Sequence, residues 1–194
     1  MYRIALLVWV AACGPISPPP AAPAAPTDPP FEAGEQAPAP AHAEAPPAGN
    51  SIAQRFVAAH NAARAKHCAP PLAWSPKLER VAQTWANSLR DQGCKFGHSG
   101  NNSYGENLAA GTTGLLDPEA TVKMWYDEIA KYSFPDGGFS METGHFTQVV
   151  WKGTSQVGCA SSSCNGMDIW VCNYEMAGNW EGQYRENVLP LGCR

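Results

Sequence analysis

The chain predicts an α+β domain stapled by disulfides, and three observations carry that prediction. Beyond Asn50, apolar residues recur first at helical spacing and later in alternation. Asn165-Gly166 stands between two alternating runs, which is the strongest short-range hairpin signal. Six of the seven cysteines are spread over the same region, and helices first with strands later is the order of an α+β fold.

The first helix opens at Ser51, which forms a capping box with Gln54, and Ile52, Phe56, Ala59 and Ala63 line one face. Ser75 before Pro76 is an N-cap with proline at the first helical position. Leu78, Val81, Ala82, Trp85 and Leu89 follow at helical spacing until Gly93 stops the run. Asp117-Pro118 starts a third helix, with Val122, Trp125, Tyr126 and Ile129 on its apolar side and Glu128 at the edge of that stripe. Gly144-His145-Phe146-Thr147-Gln148-Val149-Val150-Trp151 then alternates, is rich in β-branched residues and ends on an aromatic. That pattern predicts a half-buried strand with His145 at its mouth. Gln156 to Ser163 and Asp168 to Tyr174 are the two strands of the hairpin.

A two-residue turn fixes the hairpin register, because residues whose numbers share one sum face each other. Cys159 and Cys172 meet that condition. Counted outward from the hydrogen-bonded Cys164–Met167 pair, they fall at a non-hydrogen-bonded position, where Cα atoms stand about 4.5 Å apart and a disulfide fits. Spacing leaves the pairing of Cys68, Cys94, Cys164 and Cys193 open. No C-x-x-C pair occurs, which argues against zinc-ribbon chemistry.

With 194 residues the chain is long enough for one domain with a real core. A formal net charge of -4 and the lack of a basic cluster argue against nucleic acid, since nothing would replace phosphate counterions. Arg3 supplies a positive n-region and Ile4 to Val10 a short apolar core, far below the roughly 20 residues that span a bilayer. Val10-Ala11-Ala12-Cys13 resembles a bacterial lipobox, so residues 1–12 read as a signal peptide and Cys13 as a lipidated membrane anchor. An ordinary signal peptide cut after Ala11 or Ala12 is the alternative. Parity favours lipidation, because removing Cys13 from seven cysteines leaves an even set for pairing. Residues 13–49 are mostly Pro and Ala and, Phe31 apart, nearly bare of large apolar side chains. They read as a disordered, polyproline-leaning tether in which His42 is a solvated bystander. The folded domain is expected over residues 50–194.

Several side chains in that domain carry chemistry. His98 and Glu106 are spaced for a loop that brings both to one cleft. His60 and Arg64, four apart on one helical face with Asn61 beside them, are expected to hydrogen-bond to the sheet or a neighbouring loop. Asn107 and Asn173 are expected to satisfy loop backbone groups, and His67 to lie at the surface. Ser99 follows His98, but no G-x-S-x-G elbow accompanies it. Between the third helix and the Gly144 run, Tyr132, Phe134 and Phe139 sit on a loop whose Pro135, Gly137 and Gly138 forbid regular structure.

Four segments together resemble the CAP superfamily of cysteine-rich secretory, antigen 5 and pathogenesis-related class 1 proteins. They are His60-Asn61-Ala62-Ala63-Arg64, Gly105-Glu106-Asn107-Leu108, Gly144 to Thr154, and Cys172-Asn173-Tyr174. The resemblance runs from Ser51 to about Leu191. It departs from the family pattern at Trp170 and Met176, and in lacking a disulfide ahead of the Gly144-His145 motif. It implies a three-layer α-β-α sandwich around a central antiparallel sheet. It also implies Cys94 paired with Cys164, which leaves Cys68 for Cys193. Motif by motif, it carries the family's two histidines and two glutamates onto His98, Glu106, Glu128 and His145. Such a set suits zinc or another divalent cation, or else a hydrogen-bonded cluster in which each carboxylate fixes a histidine tautomer. Tyr132, Phe134 and Phe139 match the aromatic spacing of a loop with which some members bind sterols.

The leading expectation is therefore an exported, lipid-anchored binding protein for sterol, fatty acid or another hydrophobic ligand, with a His/Glu cleft suited to a divalent metal. A metal-dependent hydrolase using the same cleft is one alternative. An envelope or adhesion protein without ligand chemistry is another.

Overall fold

The computed structural model of the chain describes residues 51–193. The expected signal segment 1–12, the expected lipidation at Cys13 and the expected tether 13–49 lie outside the described residues.

Ser51 caps α1 (Ile52–Ala65) through the capping box: its hydroxyl accepts from the Gln54 amide, and the Gln54 side chain accepts from the Ser51 amide. The two-residue β1 (Ala73–Trp74) leads into α2 (Pro76–Asp91), capped by Ser75 and halted at Gln92-Gly93, where Gly93 takes a φ of 76°. Next come β2 (Gly105–Thr112) and α3 (Pro118–Tyr126), capped by Asp117 and prolonged by a 3₁₀ turn over Asp127–Lys131 that carries Glu128. After the aromatic loop come α4 (Gly144–Val150), the hairpin of β3 (Gln156–Cys164) and β4 (Met167–Glu175), and the single-turn α5 (Tyr184–Asn187).

The sheet order is β1-β3-β4-β2, antiparallel except for the short parallel β1–β3 pair. Strand parity divides the core into two layers. Leu108, Ala110, Ala160, Ile169 and Val171 face Ala82, Ala86 and Leu89 of α2. Ala109, Val157, Cys159, Trp170, Cys172 and Tyr174 face the opposite way, toward Phe56 of α1, Trp125 of α3 and Phe146 of α4. Helices on both faces of one sheet make the three-layer α-β-α sandwich. Gly158 lets α2 lie on β3: a Cβ there would strike the Glu79 amide nitrogen and come within 2.6 Å of the Leu78 carbonyl carbon.

Three disulfides close the domain: Cys159–Cys172, Cys94–Cys164 and Cys68–Cys193. The first joins directly opposed hairpin residues, with Cα atoms 4.1 Å apart. The last ties the end of α1 to the C-terminal segment.

Four expectations are corrected. Gly144 to Val150 form a helix and not a strand, with Trp151 as its C-cap, and all seven residues of α4 are buried, so the alternation did not mark one wet and one dry face. Glu106 and Asn107 sit on a strand, not in a loop. Its small side chains are buried on both faces from Gly105 to Gly111, so no polar-apolar alternation betrays it. His67 is fully buried, not superficial. Ile52, placed on the apolar face of α1, is 51% exposed because it belongs to the first turn, beyond the sheet.

Candidate functional site

The four residues carried over from the family form two ion-pair-like couples. His98 Nδ1 lies 2.7 Å from Glu106 Oε1, and His145 Nδ1 lies 2.7 Å from Glu128 Oε1. In each couple the ring N–H donates to the carboxylate, so the lone pair of the neutral imidazole is on Nε2. Burial of Glu106 alone would raise its pKa. The hydrogen bonds from His98 and from the Ser99 amide (2.9 Å) outweigh that and hold it below the ordinary carboxylate value. Asn173, opposite Glu106 in the β2–β4 register, also donates to it.

Glu128 does more than orient a ring. Its Oε2 accepts from the backbone amides of His145 and Phe146, at 3.0 and 3.1 Å, which are first-turn donors of α4. Both carboxylate oxygens are thus engaged by α4. At the other end, Arg64 Nη1 donates to the carbonyls of Val149 and Trp151, at 3.0 and 2.8 Å. Arg64 further binds the carbonyls of Pro70 and Thr154, and burial lowers its pKa to about 10. Asn61 clamps the following loop through reciprocal bonds to Leu72.

The sheet face toward α1 and α4 holds a polarised chain. His60 Nδ1–H donates to the Phe56 carbonyl at 2.8 Å, and its Nε2 accepts from the Tyr174 hydroxyl at 2.9 Å. Asn107 donates to that hydroxyl and to the His145 carbonyl. Burial drives the His60 pKa down to about 4, against the Phe56 hydrogen bond and with help from Arg64.

Parity on β2 separates the couples. Glu106 shares its face with Leu108 on the α2 side, whereas Asn107, which reaches His145, lies on the other. Because β2 is an edge strand, the couples can share a ligand only around that edge. Among the described residues, no three or more His, Cys, Asp or Glu side chains gather to hold a metal ion.

The aromatic loop covers α4. Tyr132, Phe134 and Phe139 are all half-buried against the core layer that contains Phe146. Tyr132 meets Phe134 at 5.0 Å and Phe146 at 5.4 Å between ring centroids. Burial raises the Tyr132 pKa to about 12. The backbone–backbone hydrogen bonds of the loop are local, Tyr132 to Ile129, Gly137 to Ser133 and Thr143 to Ser140, and from outside it Arg185 Nη2 donates to the Pro135 carbonyl at 3.2 Å. Sequence reasoning missed His67, whose ring stacks on Phe134; nothing in its spacing marks it.

A disulfide-stapled α-β-α sandwich, with paired histidines and glutamates around an edge strand, defines a class of extracellular-type domain. The chain belongs to the cysteine-rich secretory protein (CAP) family, whose model matches residues 57–174. Protein PRY2 of Saccharomyces cerevisiae is 47% identical over 141 residues, which cover 70% of this chain and 40% of that protein. This chain thus spans less than half of the yeast relative. Pathogenesis-related protein 1 of Arabidopsis thaliana is 39% identical over 67% of this chain and 80% of its own length. The crystal structure of NaASP2 with Zn2+ superposes with a TM-score of 0.57 at 25% identity, over 74% of this chain and 87% of that one.

Proposed function

We propose that this chain is an exported CAP-domain protein that captures a sterol, a fatty acid or a similar hydrophobic small molecule beneath its aromatic loop. One observation carries the reading. Three aromatic rings are half-buried on a segment whose backbone–backbone hydrogen bonds are local, so the lid can lift without breaking a ladder, at the loss of the Arg185 bond to the Pro135 carbonyl. Lifting exposes Tyr132, Phe134, Phe139 and the Phe146 surface below them, which is the apolar area an acyl chain or sterol requires. Export is supported by three disulfides, which persist in oxidising compartments, and by the secretory character of the family. A lipid on Cys13 would hold the domain at a membrane surface.

The test is to titrate labelled sterol and labelled fatty acid against the wild type and a Phe134→Ala/Phe139→Ala double variant. Binding to the wild type that drops at least tenfold in the variant supports the reading. Equal affinity removes the loop from the site, and no binding of either probe removes the function.

A second reading rests on the two Nδ1-anchored imidazoles. A carboxylate behind each ring orients it, as behind metal-bound histidines, and one structural relative was crystallised with Zn2+. With two protein donors such a site would be weak and completed by water or ligand. Zinc titration of the wild type against His98→Ala and His145→Ala tests it: loss of binding in both variants supports a shared ion, and binding unchanged in either one rejects it.

A further inference from the structure

His67 lies under the aromatic loop, and its fully buried ring is held on every side. Nδ1 is 2.6 Å from the Leu189 carbonyl, so its N–H donates there. Nε2, 3.0 Å from the Tyr126 hydroxyl, accepts from it. Phe134 stacks on the ring at 6.1 Å between centroids and 19° between planes, and Phe146 meets it edge-on at 5.5 Å. One imidazole thus joins the end of α1 to α3, to α4, to the loop and to the C-terminal segment that Cys68–Cys193 staples beside it.

Resting on the ligand-binding reading above, we infer that His67 is the positioning residue of the aromatic loop: neutral, it seats Phe134; protonated, it releases the loop, so capture of a sterol or fatty acid strengthens as pH falls. A proton on Nε2 meets the Tyr126 hydroxyl, which must turn from donor to acceptor, and places a cation among buried rings. The groups that face it offer no counter-charge. At the C-cap of α1 there is Lys66, whose ammonium lies 4.8 Å over the Tyr126 ring; on α3, the Tyr126 phenol; on the loop, the Phe134 ring, against which Tyr132 packs. From α4 comes Phe146, and from the C-terminal segment the Leu189 carbonyl. Burial pushes the His67 pKa below the ordinary imidazole value, opposed by the Leu189 hydrogen bond and aided by Lys66. The released state binds its proton at the ordinary value, so the seated population falls as pH drops below about 6.5. A ligand that needs the rings exposed binds only the released fraction, and its apparent affinity rises with that fraction.

NMR of the His67 and Phe134 rings in the intact protein, from about pH 7.5 to about pH 5, tests this alongside titration with labelled sterol and labelled fatty acid. The Phe134 resonances should move with the His67 titration, and affinity should rise roughly threefold or more over the range. His67→Gln can still donate to Leu189 and accept from Tyr126 but does not titrate, so its affinity should stay level across pH, with near-UV circular dichroism reporting its fold. Equal pH profiles in the wild type and His67→Gln, or a Phe134 ring indifferent to His67, would overturn the inference. Should His67→Gln fail to fold, Phe134→Leu removes the stacked ring and weakens the seated state, so the His67 midpoint should move upward toward the ordinary imidazole value; an unmoved midpoint counts against the inference. A wild type that binds neither probe, while Phe134 still follows His67, removes the ligand reading and supports the positioning of the loop by His67.

Discussion

Glu128 and Arg64 hold α4 from opposite ends, the carboxylate on the amides of its first turn and the guanidinium on the carbonyls of its last. Each charge has the sign that its end of the helix dipole favours. A seven-residue helix has little stability of its own, so these two side chains do much to decide its conformation.

Removing the N-terminal half of that arrangement should be costly. Glu128→Ala takes away three hydrogen bonds, including the one that orients His145, and should destabilise the domain by about 2–3 kcal/mol. Glu128→Gln keeps an acceptor and should lose less. Urea midpoints of the two variants check the order, and a wild-type midpoint in Glu128→Ala would refute the capping role.

Arg64→Met should cost about 3 kcal/mol or more, because it takes a donor from four carbonyls, of which the Trp151 carbonyl keeps the Thr154 amide. Arg64→Lys should recover little, since one ammonium cannot span positions that a planar fork reaches together. Thermal melts of both variants decide it: a lysine variant as stable as the wild type would show that charge alone suffices.

His60 sets an acid leg on stability. The unfolded imidazole titrates at the ordinary 6.5 and the folded one at about 4, so between them the unfolded chain holds more protons. Stability is fully present above about pH 6.5 and falls by about 3 kcal/mol as pH drops to about 4. His67, also lowered, adds to the same leg. Glu106 has a folded pKa below its ordinary 4.5, so its contribution is present above that value and lost as pH falls through the lowered one. Denaturant midpoints across this range should slope downward toward acid and slope less in His60→Gln. A level profile in the wild type would contradict the buried neutral imidazole.

Gly158→Ala should destabilise by about 3 kcal/mol, at the upper end of what overpacking costs, because the added methyl meets backbone of α2 and not a movable side chain. Gly166, at the hairpin tip, has open space around it but takes a φ of 76°, so Gly166→Ala should cost only about 1 kcal/mol. Parallel unfolding curves of the two variants test the contrast.

The sequence by itself determined the pieces whose signals are local. Ser51 with Gln54, Ser75 with Pro76, and Asp117 with Pro118 set three helix starts through their own side chains and the amides just after them. Asn165-Gly166 set the hairpin, and the hairpin set the Cys159–Cys172 register. Only the tertiary structure decided α4, β2 and the burial of His67. Full burial erases the polar-apolar alternation from which a period is read, and the groups that fix α4 come from residues as distant in sequence as Arg64. The same holds for the candidate site. Motifs marked His98, Glu106, Glu128 and His145, yet the division into two couples across β2 follows from strand parity, which no short motif contains.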